Sequence, residues 1–316
     1  MKLMRIGDSN IEASRIGLGC MRLSNDSDEA VATLRAALDQ GISFFDHADI
    51  YGRGKREEVF AAIWHEIPGL RDKIILQSKC GIRHAGTPEE SDPTRYDFSY
   101  EHIVQSVDGS LQRLNTDYLD ILLLHRPDAL VEPEEVAKAF DHLQQGGKVR
   151  FFGVSNHSPS QIQFLQKYVD QPLVANQLQL SIVHTHLIDE GIVLNRSDYS
   201  EPTRGESTLE FCRIHGITIQ AWSPLAGGII SGKELAEPND RIEKIAALVA
   251  KMAEQKGVSK EAIVIAWLLR HPARIQPIIG TTNPERIAGA CQADGIELTR
   301  EEWYRLFEAG RGRRLP

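Results

Sequence analysis

In the stretch FFDHADIYG, Phe44–Gly52, two aromatics run straight into Asp46, and Tyr51 follows five residues later. A surface loop needs neither a carboxylate at the end of an apolar run nor a phenol within its reach, whereas a site that moves a proton has use for both. Two further ionisable residues stand in similar places. Lys79 closes LQSK after one apolar run, and His125 follows another in LLLHRPD. Taken singly, each has a plain structural use. Asp46 could cap the turn into ADIYG, Lys79 could be an ordinary ion-pair partner, and His125 a hydrogen-bonded structural residue. Their combination at equivalent places makes them candidates for chemistry.

Positioning them requires a repeating frame, and the chain supplies one. Short apolar runs rich in β-branched residues occur at Ile16–Leu18, Phe44–Phe45, Ile74–Gln77, Ile121–Leu124, Phe151–Val154, Leu173–Ala175, Thr218–Ala221 and Ile275–Ile279. Helical patterns lie between them. Ser99 caps one whose apolar face is Ile103, Val107, Leu111 and Leu114; Arg241–Lys256 repeats the pattern with Ile242, Ile245, Val249 and Met252. Pro159 behind Ser158, Pro284 behind Asn283, and the Thr299/Glu302 capping box mark further helix starts. Strand–helix alternation implies parallel strands. Eight such units in one chain of this length predict an α/β fold, a single-domain (β/α)8 TIM barrel over residues 1–316. The rival, a doubly wound sheet, would show a glycine-rich fingerprint after an early strand, but GLGCMR has Arg22 where the third glycine should stand. In a barrel the strand ends share one face, and this brings together Asp46, Lys79, His125, Ser155, Asn156, Asn176, Gln177, AWSPLAGG and GTTNPER.

Bulk properties exclude several classes. The chain has 316 residues, 41% apolar and 25% charged, as in a globular protein with a real core. Its net charge of −8 argues against general nucleic-acid binding but leaves room for an anionic cofactor held by local cations. No apolar run approaches a membrane span, and MKLMRIGDSN lacks the core of a signal peptide, so a cytoplasmic location is expected. Cys20, Cys80, Cys212 and Cys291 have no metal-type spacing and read as reduced, partly buried thiols. A metal-dependent barrel would need His and carboxylate ligands at several strand ends. His184 and His186 sit on an expected loop with no paired carboxylate, and no metal is expected.

With these motifs in order, the sequence resembles the aldo-keto reductases over nearly its whole length. DHADIYG is similar to the family's D-x-A-x-x-Y-G signature. QSK and LLLHRPD resemble its lysine and histidine segments, and GVSN, NQ, SPLAGG with SGK, and PERI its cofactor-binding series. The resemblance implies a (β/α)8 barrel that binds NADPH without a Rossmann domain and reduces aldehydes or ketones. It implies a catalytic group of Asp46, Tyr51, Lys79 and His125. The physics is compatible: a phenol is a poor acid at neutral pH unless tuned, a nearby ammonium lowers its pKa, and a buried ammonium needs a counter-charge. His125 could then donate a hydrogen bond to the developing oxyanion. For the cofactor the resemblance implies Ser155, Asn156 and Gln177 at the nicotinamide carboxamide and Trp222 on its ring. Ser223, Pro224, Leu225, Gly227 and Lys233 would follow the pyrophosphate, and Gly280, Thr281, Thr282 and Arg286 the adenosine 2′-phosphate. Many members carry a lysine where Gly280 stands, and an acid and an amide where Gly289 and Ala290 stand. NADH therefore remains possible beside NADPH. His47 replaces a more usual threonine.

The expected partner is a small-molecule carbonyl substrate, with neither nucleic acid nor membrane. Loops at about 80–98 and 184–208 are long and polar, and such loops are usually functional or mobile. Met21, Arg22, Ile82, Arg83 and Arg126 could border the substrate pocket, where arginines would suit a polar or anionic compound. The tail GRGRRLP reads as a frayed terminus. The alternative function is a nicotinamide-binding redox-sensing or regulatory subunit with vestigial turnover.

Overall fold

Eight parallel strands close a barrel: Gly17–Gly19, Phe44–Asp46, Ile75–Cys80, Leu119–Leu124, Val149–Ser155, Leu173–Gln179, Thr218–Trp222 and Gln276–Ile279. Each pairs with its neighbours in sequence, and the eighth pairs with the first. The computed structural model describes residues 1–193, 206–230 and 239–316. All eight expected strands are present. Several run further toward their C-terminal ends than the apolar runs suggest. Lys79, Ser155 and Gln177 lie inside strands, not after them, so the ladder hydrogen bonds hold them. Their polarity obscured this, because inward-facing polar residues interrupt an apolar run without interrupting a strand.

The helices begin where their caps predict. Ser99 accepts from His102 N–H, Asn283 from Arg286 N–H, and both Ser158/Gln161 and Thr299/Glu302 form capping boxes. Helix Tyr100–Leu114 buries Ile103, Val107, Leu111 and Leu114 against the barrel, and helix Asp240–Lys256 buries Ile242, Ile245, Val249 and Met252. Among the described residues no helix is long and apolar enough to cross a membrane.

The core divides in two. The larger part lies between strands and helices. The smaller fills the lower lumen, where Phe44, Ile121, Leu123 and Ile278 meet Met4, Ile6, Ile11 and Ala13. Those last four belong to an N-terminal antiparallel hairpin, Leu3–Arg5 with Glu12–Ser14, that closes the barrel floor. Three-residue strands carry too little pattern for the sequence reading to have registered them. The segment read as a long loop at 80–98 contains a second small hairpin, Ile82–Arg83 with Arg95–Tyr96. That at 184–208 begins with helix His186–Ile192, and residues 194–205 lie outside the described set. Of the C-terminal tail, Gly310 and Arg311 still belong to the last helix, and residues 312–316 are exposed. Arg311 pairs with buried Asp189, and the Leu315 N–H donates to Glu308. Gly310 lets the last helix approach the chain closely, because a Cβ there would stand 2.0 Å from the Ile182 carbonyl oxygen.

Candidate active site

Asp46 ends the second strand, and the chain then bends through a short turn at Tyr51–Gly54. Gly52, with φ of 58°, turns the backbone back immediately after Tyr51. Alternation on the third strand sends Gln77 and Lys79 inward. The Lys79 ammonium donates to Asp46 Oδ2 at 2.7 Å, to the His47 carbonyl at 2.8 Å and to the Tyr51 hydroxyl oxygen at 3.2 Å. Three acceptors match the three donors of an ammonium. Burial disfavours the charge on Lys79, but Asp46 and Tyr51 outweigh it, and its pKa moves upward. The lysine therefore stays charged at the centre of the group.

Burial raises the Tyr51 pKa, and the Lys79 ammonium opposes it. The sequence reading expected a lowered value. Lys79 acts in that direction, but desolvation outweighs it, so Tyr51 is protonated at neutral pH, the form a proton donor must have. His125 follows the fourth strand, and its ring packs edge-on to Tyr51 with centroids 5.9 Å apart. Burial, then Lys79 and Arg126, push its pKa well below the usual histidine value, so the imidazole is neutral. Burial and Lys79 hold His47 at about 3. Its ring lies against Phe60 with neither nitrogen hydrogen-bonded, so it packs as an apolar side chain.

A cleft of about 590 Å³ opens beside this group, within the range of small-molecule sites. Its walls include Asp46, Tyr51, His125, Ser155, Asn156, Gln177, Trp222, Ser223, Pro224, Leu225, Gly227, Gly280, Thr281, Thr282 and Arg286. Of the sequence-chosen residues, Lys79 lies buried beneath that wall, and Lys233 falls outside the described residues. Asn176 faces away and donates to the His157 carbonyl. Asn156 is held by its own bond to Ser155 Oγ at 2.8 Å and by Trp222 Nε1–H at 3.1 Å, which fixes the indole over the cleft. Met21, Arg22, Ile82 and Arg126 border the cleft, but Arg83 does not; it pairs with Asp97 at 2.5 Å.

The lining suits an extended dinucleotide. Amides and a hydroxyl cluster near Tyr51, while the far end has the N-terminus of helix Pro284–Cys291 and the exposed Arg286. A Cβ on Gly227 or Gly280 would meet nothing within 4 Å, so backbone is open to a ligand at both. A model of the aldo/keto reductase family matches residues 15–311. The chain belongs to this family of oxidoreductases.

Its relatives match end to end. It is 38% identical to the uncharacterized oxidoreductase YcsN of Bacillus subtilis, over 97% of each chain. It is 36% identical to a 6-dehydroglucose reductase of Agrobacterium fabrum, over 96% of this chain and 97% of that one. Among solved structures, the glycerol dehydrogenase AKR11B4 from Gluconobacter oxydans superposes with a TM-score of 0.80 at 26% identity, covering 97% of this chain and 94% of that one.

Beside these family features, the sequence reading missed two groups of residues. One is a buried polar cluster under the Tyr51 loop. Glu57 accepts from Ser78 at 2.7 Å and from Arg113 at 2.8 Å. Next to it, burial and then Glu57 push Asp49 up to about 7. A glutamic acid opening a short helix gave no sign of this. The other is Gln77, Gln220 and Gln276, buried in the lumen, which join Gln177 through side-chain hydrogen bonds.

Proposed function

We propose that this family member is an NADPH-dependent reductase of aldehydes or ketones, with Tyr51 as the proton donor. The observation that carries the reading is the triple contact of Lys79, buried beneath the cleft wall, with the His47 carbonyl and with Asp46 and Tyr51 in that wall. When bound, the dinucleotide supplies a hydride to the carbonyl carbon. The chain's own residues do the rest. Because the Tyr51 oxygen already accepts from Lys79, its proton is free to pass to the carbonyl oxygen. As the phenol loses it, the neighbouring ammonium stabilises the phenolate. Neutral His125 donates to the same oxygen and orients it.

Ser155, Asn156 and Gln177 would hold the carboxamide, Trp222 the ring, Ser223–Gly227 with Lys233 the pyrophosphate, and Thr281, Thr282 and Arg286 the 2′-phosphate. Arg286 has no ion-pair partner among the described residues, which supports NADPH, while Gly280 adds no cation and leaves NADH usable. At the mouth, Arg22 and Arg126 stand beside Met21, Ile50 and Ile82. This suits a polar carbonyl compound, either a sugar aldehyde or one bearing an acidic group. The relative that acts on 6-dehydroglucose supports the first of these.

The test is NADPH oxidation against aldehydes, ketones and quinones, sugar aldehydes included, by wild type and by Tyr51→Phe. Turnover by wild type and its loss in the variant, with unchanged NADPH affinity, is expected. Reduction by Tyr51→Phe at near wild-type rate would remove Tyr51 from its role.

A further inference from the structure

Barrel interiors are usually filled by bulky apolar residues, yet above the floor of this one lies a layer of amides. Register places Gln177 beside Gln220, Gln220 beside Gln276, and Asp46 beside Gln77. All are buried. Gln77 Nε2 donates to Asp46 Oδ1 at 2.7 Å and, across the lumen, to Gln220 Oε1 at 2.9 Å. Gln220 Nε2 donates back to Gln77 Oε1 and onward to Gln276 Oε1, both at 3.1 Å. Gln276 Nε2 donates to the Ser14 carbonyl at 2.9 Å. The Gln177 Nε2 group joins by donating to Gln220 Oε1 at 3.2 Å.

A glutamine amide alone can turn over, exchanging donor for acceptor. Here both ends of the chain forbid it. Asp46, ion-paired to Lys79, only accepts, so Gln77 must offer its nitrogen. The Ser14 carbonyl only accepts, so Gln276 must do the same. Both constraints turn the Gln220 nitrogen toward Gln77 and Gln276 and its oxygen toward Gln177. Reversing Gln177 would set two amide oxygens 3.2 Å apart in a buried layer, which leaves acceptors unpaired at a cost. Gln177 is thereby left with Oε1 as the acceptor it can present to the cleft.

We propose that this amide chain fixes the polarity of Gln177, so that Gln220 is a positioning residue through which the barrel selects a ligand with a carboxamide N–H donor. The proposal rests on the reading of Gln177 as a nicotinamide contact. It gives the Asp46 carboxylate a second use. Oδ2 holds Lys79, while Oδ1 orients the cofactor end of the site through three side chains.

The probes are NADP+ and its 3-acetylpyridine analogue, whose acetyl group offers no N–H. The dissociation constant of each is measured by equilibrium dialysis with wild type, Gln177→Ala, Gln220→Met and Gln276→Met, folding being checked by circular dichroism. Wild type should prefer NADP+, and Gln177→Ala should lose that preference. If it does not, the reading of Gln177 as a carboxamide contact fails. Gln220→Met keeps side-chain length and should lower the preference roughly three- to tenfold, the worth of one hydrogen bond, while the analogue binds as before. Gln276→Met removes one of the two anchors and should lower it less, in the same direction. If Gln177→Ala abolishes the preference while both methionine variants keep the wild-type ratio, the relay is wrong. Equal weakening of both ligands by Gln220→Met would equally overturn it, since that is what simple loosening of the barrel would do.

Discussion

Lys79 donates to the Tyr51 hydroxyl oxygen at 3.2 Å from a position where its other two bonds are taken by Asp46 and the His47 carbonyl. It can therefore stabilise phenolate without turning away from its counter-charge. Burial already raises the Tyr51 pKa against this influence. Lys79→Met removes the opposing charge, so the phenol pKa should climb further. Alcohol oxidation requires phenolate, and its ascending pH limb should move to higher pH. Reduction starts from the protonated phenol and should slow without that shift. The check is the pH dependence of both directions at saturating cofactor. An unmoved oxidation limb would mean that Lys79 does not tune Tyr51.

Arg286 is exposed at the far end of the cleft, beside Gly280, where a Cβ would meet nothing within 4 Å. Arg286→Ala should weaken NADPH by about 1.5–3 kcal/mol, the worth of a hydrogen bond to a charged group, and leave NADH nearly unchanged. The Cβ of Gly280→Lys would meet nothing within 4 Å, and the added cation should make the variant favour NADPH over NADH more strongly than wild type does. Fluorescence titration with both cofactors decides. Equal losses for the two in Arg286→Ala would assign the arginine elsewhere.

Asp49 sets a pH dependence of stability. Its Oδ1 is buried without a hydrogen bond, and its carboxyl holds its proton up to about 7, whereas the unfolded chain releases it near pH 3.9. This contribution to stability is present in full below the unfolded value and is lost as pH rises from about 4 to about 7. Asp49→Asn keeps the neutral shape and removes the titration. Its urea midpoint should match wild type near pH 4 and exceed it increasingly up to pH 8, other groups cancelling in the difference. A constant offset across that window would show that Asp49 does not titrate there.

Gly310→Ala tests the docking of the last helix. Alanine gains about 1 kcal/mol of helix propensity. Its methyl, however, would lie 2.0 Å from the Ile182 backbone oxygen, which no rotamer change relieves. Overpacking of this kind costs about 1–3 kcal/mol or more, so a lower melting temperature is expected. A higher one would place the helix further from Ile182.

The barrel was legible because Ile121–Leu124 or Phe151–Val154 declare strands by type alone, and because Ser99 and Asn283 declare helix starts. Asp46, Lys79 and His125 were legible since ionisable residues at equivalent strand ends must converge. Other features depend on partners far away in sequence. Nothing near Gln220 says that it faces Gln77 across the lumen, and nothing near Asp49 says that Glu57 and Arg113 close over it. Leu3–Arg5 is too short to show a period. The sign of the Tyr51 shift was misjudged because it depends on how deeply the ring is buried, which only packing decides.

With the N-terminal hairpin packed into the lower end, the described residues form a vessel whose cleft opens at the other end. On the proposed function, substrate and dinucleotide would enter at the opposite rim, where Ile82, Arg126 and Trp222 stand. Changes to the floor will then alter how long the molecule endures, and changes at the rim will alter what it admits. The two can be engineered separately.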